Sequence, residues 1–128
     1  IKPDRHETMV LLAGLELAEQ HFDRALSYSK KALKIAPDHT NAILYAGVSY
    51  FSLKQYDQAG QAFKKLIHLD PTSSQHYVNL LAVYLKQKNY ADGLPLAEDA
   101  RQQFPNNPHI QDYTARILKM SPGQGREP

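Results

Sequence analysis

The chain has 128 residues, 42% hydrophobic and 22% charged, the balance of a globular domain that folds in water and not of a disordered or membrane-embedded chain. Fifteen Lys and Arg against 13 Asp and Glu leave a formal charge of +2, too small for an extended phosphate-binding surface, so nucleic acid is not an expected partner. Cysteine is absent, which excludes a disulfide framework, thiol catalysis and cysteine metal sites.

The lack of cysteine suits a reducing cytoplasm and an oxidising bacterial periplasm equally. The longest apolar runs, at residues 9–13 and 80–85, are far short of the roughly 20 residues that cross a bilayer, so direct membrane insertion is not expected. Residues 1–5 read as a lead-in. They have no basic stretch followed by an apolar core and do not start with Met, which reads as a fragment or a processed form.

From residue 6 onward the sequence repeats itself every 34 residues, marked by Pro37, Pro71 and Pro105. In the first unit, 6–39, a helix is expected through Met9, Leu12 and Ala13. A polar turn, Gln20-His21-Phe22-Asp23, leads to a second helix through Ala25 and Ala32 that Pro37 ends.

The second unit, 40–73, places Ile43, Ala46, Gly47 and Tyr50 on one helix and Ala59, Ala62, Phe63 and Leu66 on the next. Those three- and four-residue spacings are the mark of an amphipathic pair. The third unit, 74–107, repeats the columns with Tyr77, Leu80 and Leu81, then Tyr90, Gly93 and Ala100. Small residues in the column of Ala13 and Gly47 let the two helices approach closely. Asp23, Asp57 and Asp92 are suited to capping the second helix or to its N-terminal dipole.

Residues 108–120 read as an added capping helix with Ile110, Tyr113, Ile117 and Leu118 apolar. Residues 121–128, rich in Gly and Pro, read as a flexible tail.

These columns resemble the tetratricopeptide repeat (TPR) family, whose unit carries a large residue, Leu-Gly, an aromatic, Ala, an aromatic, Ala and a final Pro. The resemblance covers residues 6 to about 120 and implies an all-α, right-handed superhelical solenoid of antiparallel helix pairs. The first unit departs from the pattern: Glu16 stands in the column of Tyr50 and Tyr84, and Ser29 in that of Phe63. Gly60 within a second helix costs roughly 1 kcal/mol relative to Ala, and Pro95 is expected in the first turn of its helix.

The resemblance also implies a concave face lined by the first helix of each unit. Its columns are Glu7, Asn41 and Gln75; Val10, Leu44 and Val78; Leu11, Tyr45 and Asn79; Gly14, Val48 and Ala82; Leu17, Phe51 and Leu85. The candidate peptide-binding groove is therefore Val10, Gly14, Asn41, Leu44, Tyr45, Val48, Gln75, Val78, Asn79 and Ala82. Its apolar members would cover a partner helix or extended peptide and its amides would bond the partner backbone, unless some of them are used in packing between units.

The carboxylate-clamp subclass needs Lys, Arg and Asn in these columns. Val10, Gly14, Tyr45, Gln75 and Asn79 leave a terminal carboxylate without a cation, so the clamp is not expected. The histidines, His6, His21, His39, His68, His76 and His109, contain no pair at i and i+4, so no metal is expected. No phosphate loop or nucleophile elbow is present, so neither catalysis nor a cofactor is expected. Lys30, Lys31, Lys34, Lys64 and Lys65 read as a solvated second-helix face.

The sequence thus points to a protein-interaction module, an adaptor or assembly chaperone holding a protein or peptide. Two rival readings are a regulatory or localising domain of a larger enzyme and a self-associating homo-oligomeriser.

Overall fold

The computed structural model describes residues 5–121, and these form helices without a strand among them. They divide into two compact units, Ile1–Asp70 and Pro71–Pro128. The lead-in up to residue 4 and the tail from residue 122 lie outside the described residues.

The first unit holds α1 (Arg5–Ala18), α2 (Phe22–Ile35), α3 (Thr40–Ser52) and α4 (Tyr56–Leu69). α1 packs on α2, α2 on α3 and α3 on α4, with α1 also touching α3. Apolar residues three and four apart fall on one helix face, and burying that face is what makes each hairpin stable. Val10, Ala32 and Ala42 form one buried cluster, with Met9, Leu33 and Tyr45 around it. Phe63 and Leu66 of α4 are fully buried, each removal from water contributing about 1.5–3 kcal/mol.

The second unit holds α5 (Ser74–Gln87), α6 (Tyr90–Gln103) and α7 (Pro108–Met120). Here α7 packs on both α5 and α6, and Leu81, Ala97 and Ile117 form the buried cluster where they meet. Ile110, Thr114 and Ile117 make the inward stripe of α7, whereas Leu118, expected among its apolar residues, lies on the exposed side. Asn107 caps α7 by accepting the backbone N–H groups of His109 and Ile110 at 2.9 and 3.1 Å, with Pro108 at the first helical position.

The turn within each helix pair is the same device three times. Gln20, Lys54 and Lys88, spaced by the repeat, have φ of 62°, 63° and 57°. The following N–H groups of His21, Gln55 and Asn89 reach back to the carbonyls of Glu16, Tyr50 and Tyr84 at 2.8, 2.8 and 2.9 Å, closing a Schellman motif. The second helices end as the prolines require. Ala36, Asp70 and Phe104, one before each Pro, leave the helix with ψ of 81°, 80° and 65° while still donating to the carbonyls of Ala32, Leu66 and Ala100.

Of the two roles expected for Asp23, Asp57 and Asp92 the structure shows the dipole one: they lie inside the first turn, at the positive end of the helix, and the N-cap positions are His21, Gln55 and Asn89, of which only Asn89 caps with its side chain. One local expectation is corrected. Pro95 falls in the second turn of α6, not its first. Its ring and the Ala91 carbonyl that it leaves without an amide partner are both on the exposed side, where water can serve that carbonyl.

Candidate functional site

In the first unit, α3 presents Asn41, Leu44, Tyr45 and Val48 on one face, the i, i+3, i+4, i+7 pattern of a helix stripe. Asn41 is exposed, and the three others are half-buried, so each keeps apolar surface that the fold has not used. Tyr45 lies across α1 at Gly14: a Cβ there would stand 3.3 Å from its Cε2 atom. The missing side chain at Gly14 is therefore what lets the Tyr45 ring settle against α1. Ser49 donates to the Tyr45 carbonyl at 2.7 Å, which fixes the next turn of α3.

Val10 does not join this open face. It is 7% exposed and belongs to the buried cluster with Ala32 and Ala42, so its side chain is used in packing between α1, α2 and α3. The surface that α1 does offer is Leu11, 66% exposed, from the same column as Tyr45. A face assignment from a single helix cannot separate adjacent positions such as 10 and 11, because the neighbouring hairpin decides which of them is covered.

In the second unit the corresponding stripe of α5 is Gln75, Val78, Asn79 and Ala82. Gln75 is exposed and donates its side-chain amide to Asn79 Oδ1 at 2.8 Å, and Asn79 is itself half-buried. Ala82 is half-buried. Val78, 9% exposed, repeats the fate of Val10. Both first-helix faces thus combine short apolar side chains with carboxamides and hold no cation, and the chemistry they offer is hydrogen bonding to a peptide backbone beside apolar contact.

Three of the histidines, His6, His21 and His39, contact neighbouring side chains or cap a helix. His39 caps α3 by accepting the Ala42 N–H at 3.3 Å, and its ring stands edge-on to that of His6. His21 contacts Glu16, which also meets Arg24 at 3.6 Å; the acid in the aromatic column is thereby held in a surface ion group. Among the described residues no group of three or more His, Asp or Glu could hold a metal ion, and no helix is long and apolar enough to cross a membrane. Ser29 occupies the fully buried place that Phe63 fills one repeat later, and its hydroxyl makes no hydrogen bond.

Antiparallel helix pairs in a 34-residue register, joined by identical Schellman turns and closed by an extra helix, define a helical-repeat module of the protein-interaction class. The chain belongs to the tetratricopeptide repeat family, whose model matches residues 16–84. It is 32% identical over 92 residues to the mitochondrial import receptor subunit TOM70 of Saccharomyces cerevisiae, covering 72% of this chain and 15% of that protein. It is 29% identical over 115 residues to the DnaJ protein P58IPK homolog A of rice, covering 90% of this chain and 23% of that protein. The chain therefore spans less than a quarter of the length of either relative. Among solved structures, the Arabidopsis OM64 TPR domain superposes with a TM-score of 0.79 at 16% identity, over 89% of this chain and 94% of that one. The first TPR domain of Spaghetti (RPAP3), bound to an HSP90 peptide, does so with a TM-score of 0.81 at 14% identity, over 93% and 94%. These likenesses show the fold: an all-α helical repeat of the TPR solenoid class.

Proposed function

We propose that this module binds a protein segment, extended or helical, on the first-helix faces of its repeats and has no catalytic role of its own. The observation that carries the reading is the α3 stripe of Asn41, Leu44, Tyr45 and Val48, half-buried apolar surface beside an exposed carboxamide. Leu11 extends it on α1, and Gln75, Asn79 and Ala82 give α5 a similar set. Buried apolar contact supplies affinity for such a segment, and the amides supply register along its backbone.

The absence of cations from this set favours an apolar or neutral segment over an acidic chain terminus, in contrast with what a carboxylate clamp requires. The import-receptor relative and the peptide-bound neighbour are in keeping with peptide binding. A second reading, a TPR region serving a larger enzyme, is favoured by other relatives. The chain matches 11% of the protein O-mannosyl-transferase Tmtc3 of Drosophila melanogaster and 6% of a UDP-N-acetylglucosamine–peptide N-acetylglucosaminyltransferase of Giardia intestinalis.

The test uses paired baits from the native cell, the parent chain and Leu11→Glu with Leu44→Glu, after circular dichroism has shown equal helicity. Leu11 is exposed and tolerates charge in the free protein, so loss of a captured partner reports the interface and not unfolding. A partner bound equally by both baits sinks the assignment of this face. A partner that is itself a catalytic subunit, held in a face-dependent way, supports the second reading.

A further inference from the structure

The 34-residue register reaches further back than the described helices. Ile1-Lys2-Pro3-Asp4 stands one period before Ile35-Ala36-Pro37-Asp38, identical at three of four places. Ile35 is the last residue of α2, and Ala36 to Asp38 form the turn that leaves it. The opening residues thus carry the signature of the end of a second helix.

The hairpin α1/α2 also bears surface that its successor covers. Leu15 of α1 is 63% exposed, whereas Ser49, in the same column of α3, is completely buried in a helix onto which α2 and α1 pack. Where α1 begins and α2 ends, a concavity of about 240 Å³ is lined by Arg5, Met9, Lys31, Lys34 and Ile35. Within the first unit the step from one hairpin to the next is braced by Lys65, whose Nζ donates to the Pro37 carbonyl at 2.8 Å and meets Asp38 Oδ1 at 3.2 Å. Lys31, Pro3 and Asp4 occupy the same three columns one period earlier.

We propose that the outward face of α1/α2 is a stacking face, and that its occupant is the second helix of a further repeat in the same polypeptide, the helix whose closing signature is Ile1 to Asp4. A repeat hairpin buries its apolar surface only against neighbours, so the side of α1 that carries the exposed Leu15 is the one that awaits one. The occupant is amphipathic, with an apolar residue in the buried column of Ala32, Leu66 and Ala100. Leu11 lies one turn from Leu15 on the same helix, so the test of stacking changes Leu15 alone and leaves Leu11 untouched.

The experiment compares the 128-residue chain with the native polypeptide begun one full repeat earlier, each with and without Leu15→Lys. Stacking requires that the extension raise the melting temperature and slow amide exchange in α1 on the order of tenfold or more. Leu15→Lys then removes most of that gain while moving the shorter chain little. The proposal is overturned if the native polypeptide encodes no amphipathic helix ahead of Ile1, or if Leu15→Lys leaves the extended chain unaffected. It is equally overturned if the extended chain doubles its mass by light scattering and Leu15→Lys returns it to monomer, since a second copy would then be the occupant.

Discussion

The hairpins α1/α2 and α3/α4 are built on one template and filled differently. Where α3/α4 sets Gly47 under Phe63, α1/α2 carries Ala13 and Ser29 in the same columns, and all four are buried. A Cβ on Gly47 would lie 2.7 Å from Phe63 Cε1, so the large ring is possible only because the facing residue has no side chain. With Ser in place of Phe, the first hairpin has room for the methyl of Ala13. The two columns are therefore coupled, since the size of the residue in one limits what the facing residue can be, as close packing of the interior requires.

The largest effect expected from breaking this contrast is at Phe63: Phe63→Ala should cost about 3–5 kcal/mol in chemical unfolding. At the corresponding place Ser29→Ala should cost nothing. Next comes Gly47→Ala, at about 1–3 kcal/mol from overpacking. In a Phe63→Ala background that penalty should vanish, and a double-mutant cycle that finds the two changes additive would refute the volume argument.

Replacing Lys54 by Gly should stabilise by roughly 1 kcal/mol, because a non-glycine residue at φ 63° bears the left-handed penalty. Ser29→Ala should raise stability by a smaller amount, up to about 1 kcal/mol, by removing a buried hydroxyl without a partner. A loss of stability there would mean that the hydroxyl is satisfied by water. The smallest effect belongs to the surface brace: Lys65→Ala should cost at most about 1 kcal/mol, and less in high salt.

The fold was legible because its signals are local and repeated. Three prolines one period apart each stop a helix by steric rules that need no tertiary context, and the apolar columns between them fix which face of each helix turns inward. The Schellman turns were less legible, since their left-handed positions carry Gln20, Lys54 and Lys88, not the glycine that advertises such a conformation. Pro95 misled for the opposite reason. A proline in the second turn of a helix is tolerated only where the freed carbonyl faces water, and that depends on which side of α6 is covered.

The candidate binding face was only partly readable. Asn41, Leu44, Tyr45, Val48, Gln75, Asn79 and Ala82 keep accessible surface, Gly14 serves as the seat of Tyr45, and Val10 and Val78 are given over to packing. Leu11, the most exposed large apolar residue among the described residues, lies in the column of Tyr45 and Asn79 yet outside the candidate set.

The sequence by itself determined the period, the helix pairs, their proline stops and the family, because each of these is written in residues a few positions apart. Only the tertiary structure decided which of two adjacent apolar residues on a helix, such as Val10 and Leu11, is buried and which is left exposed. That choice depends on the volume and angle of the neighbouring hairpin, a property of residues a whole repeat away.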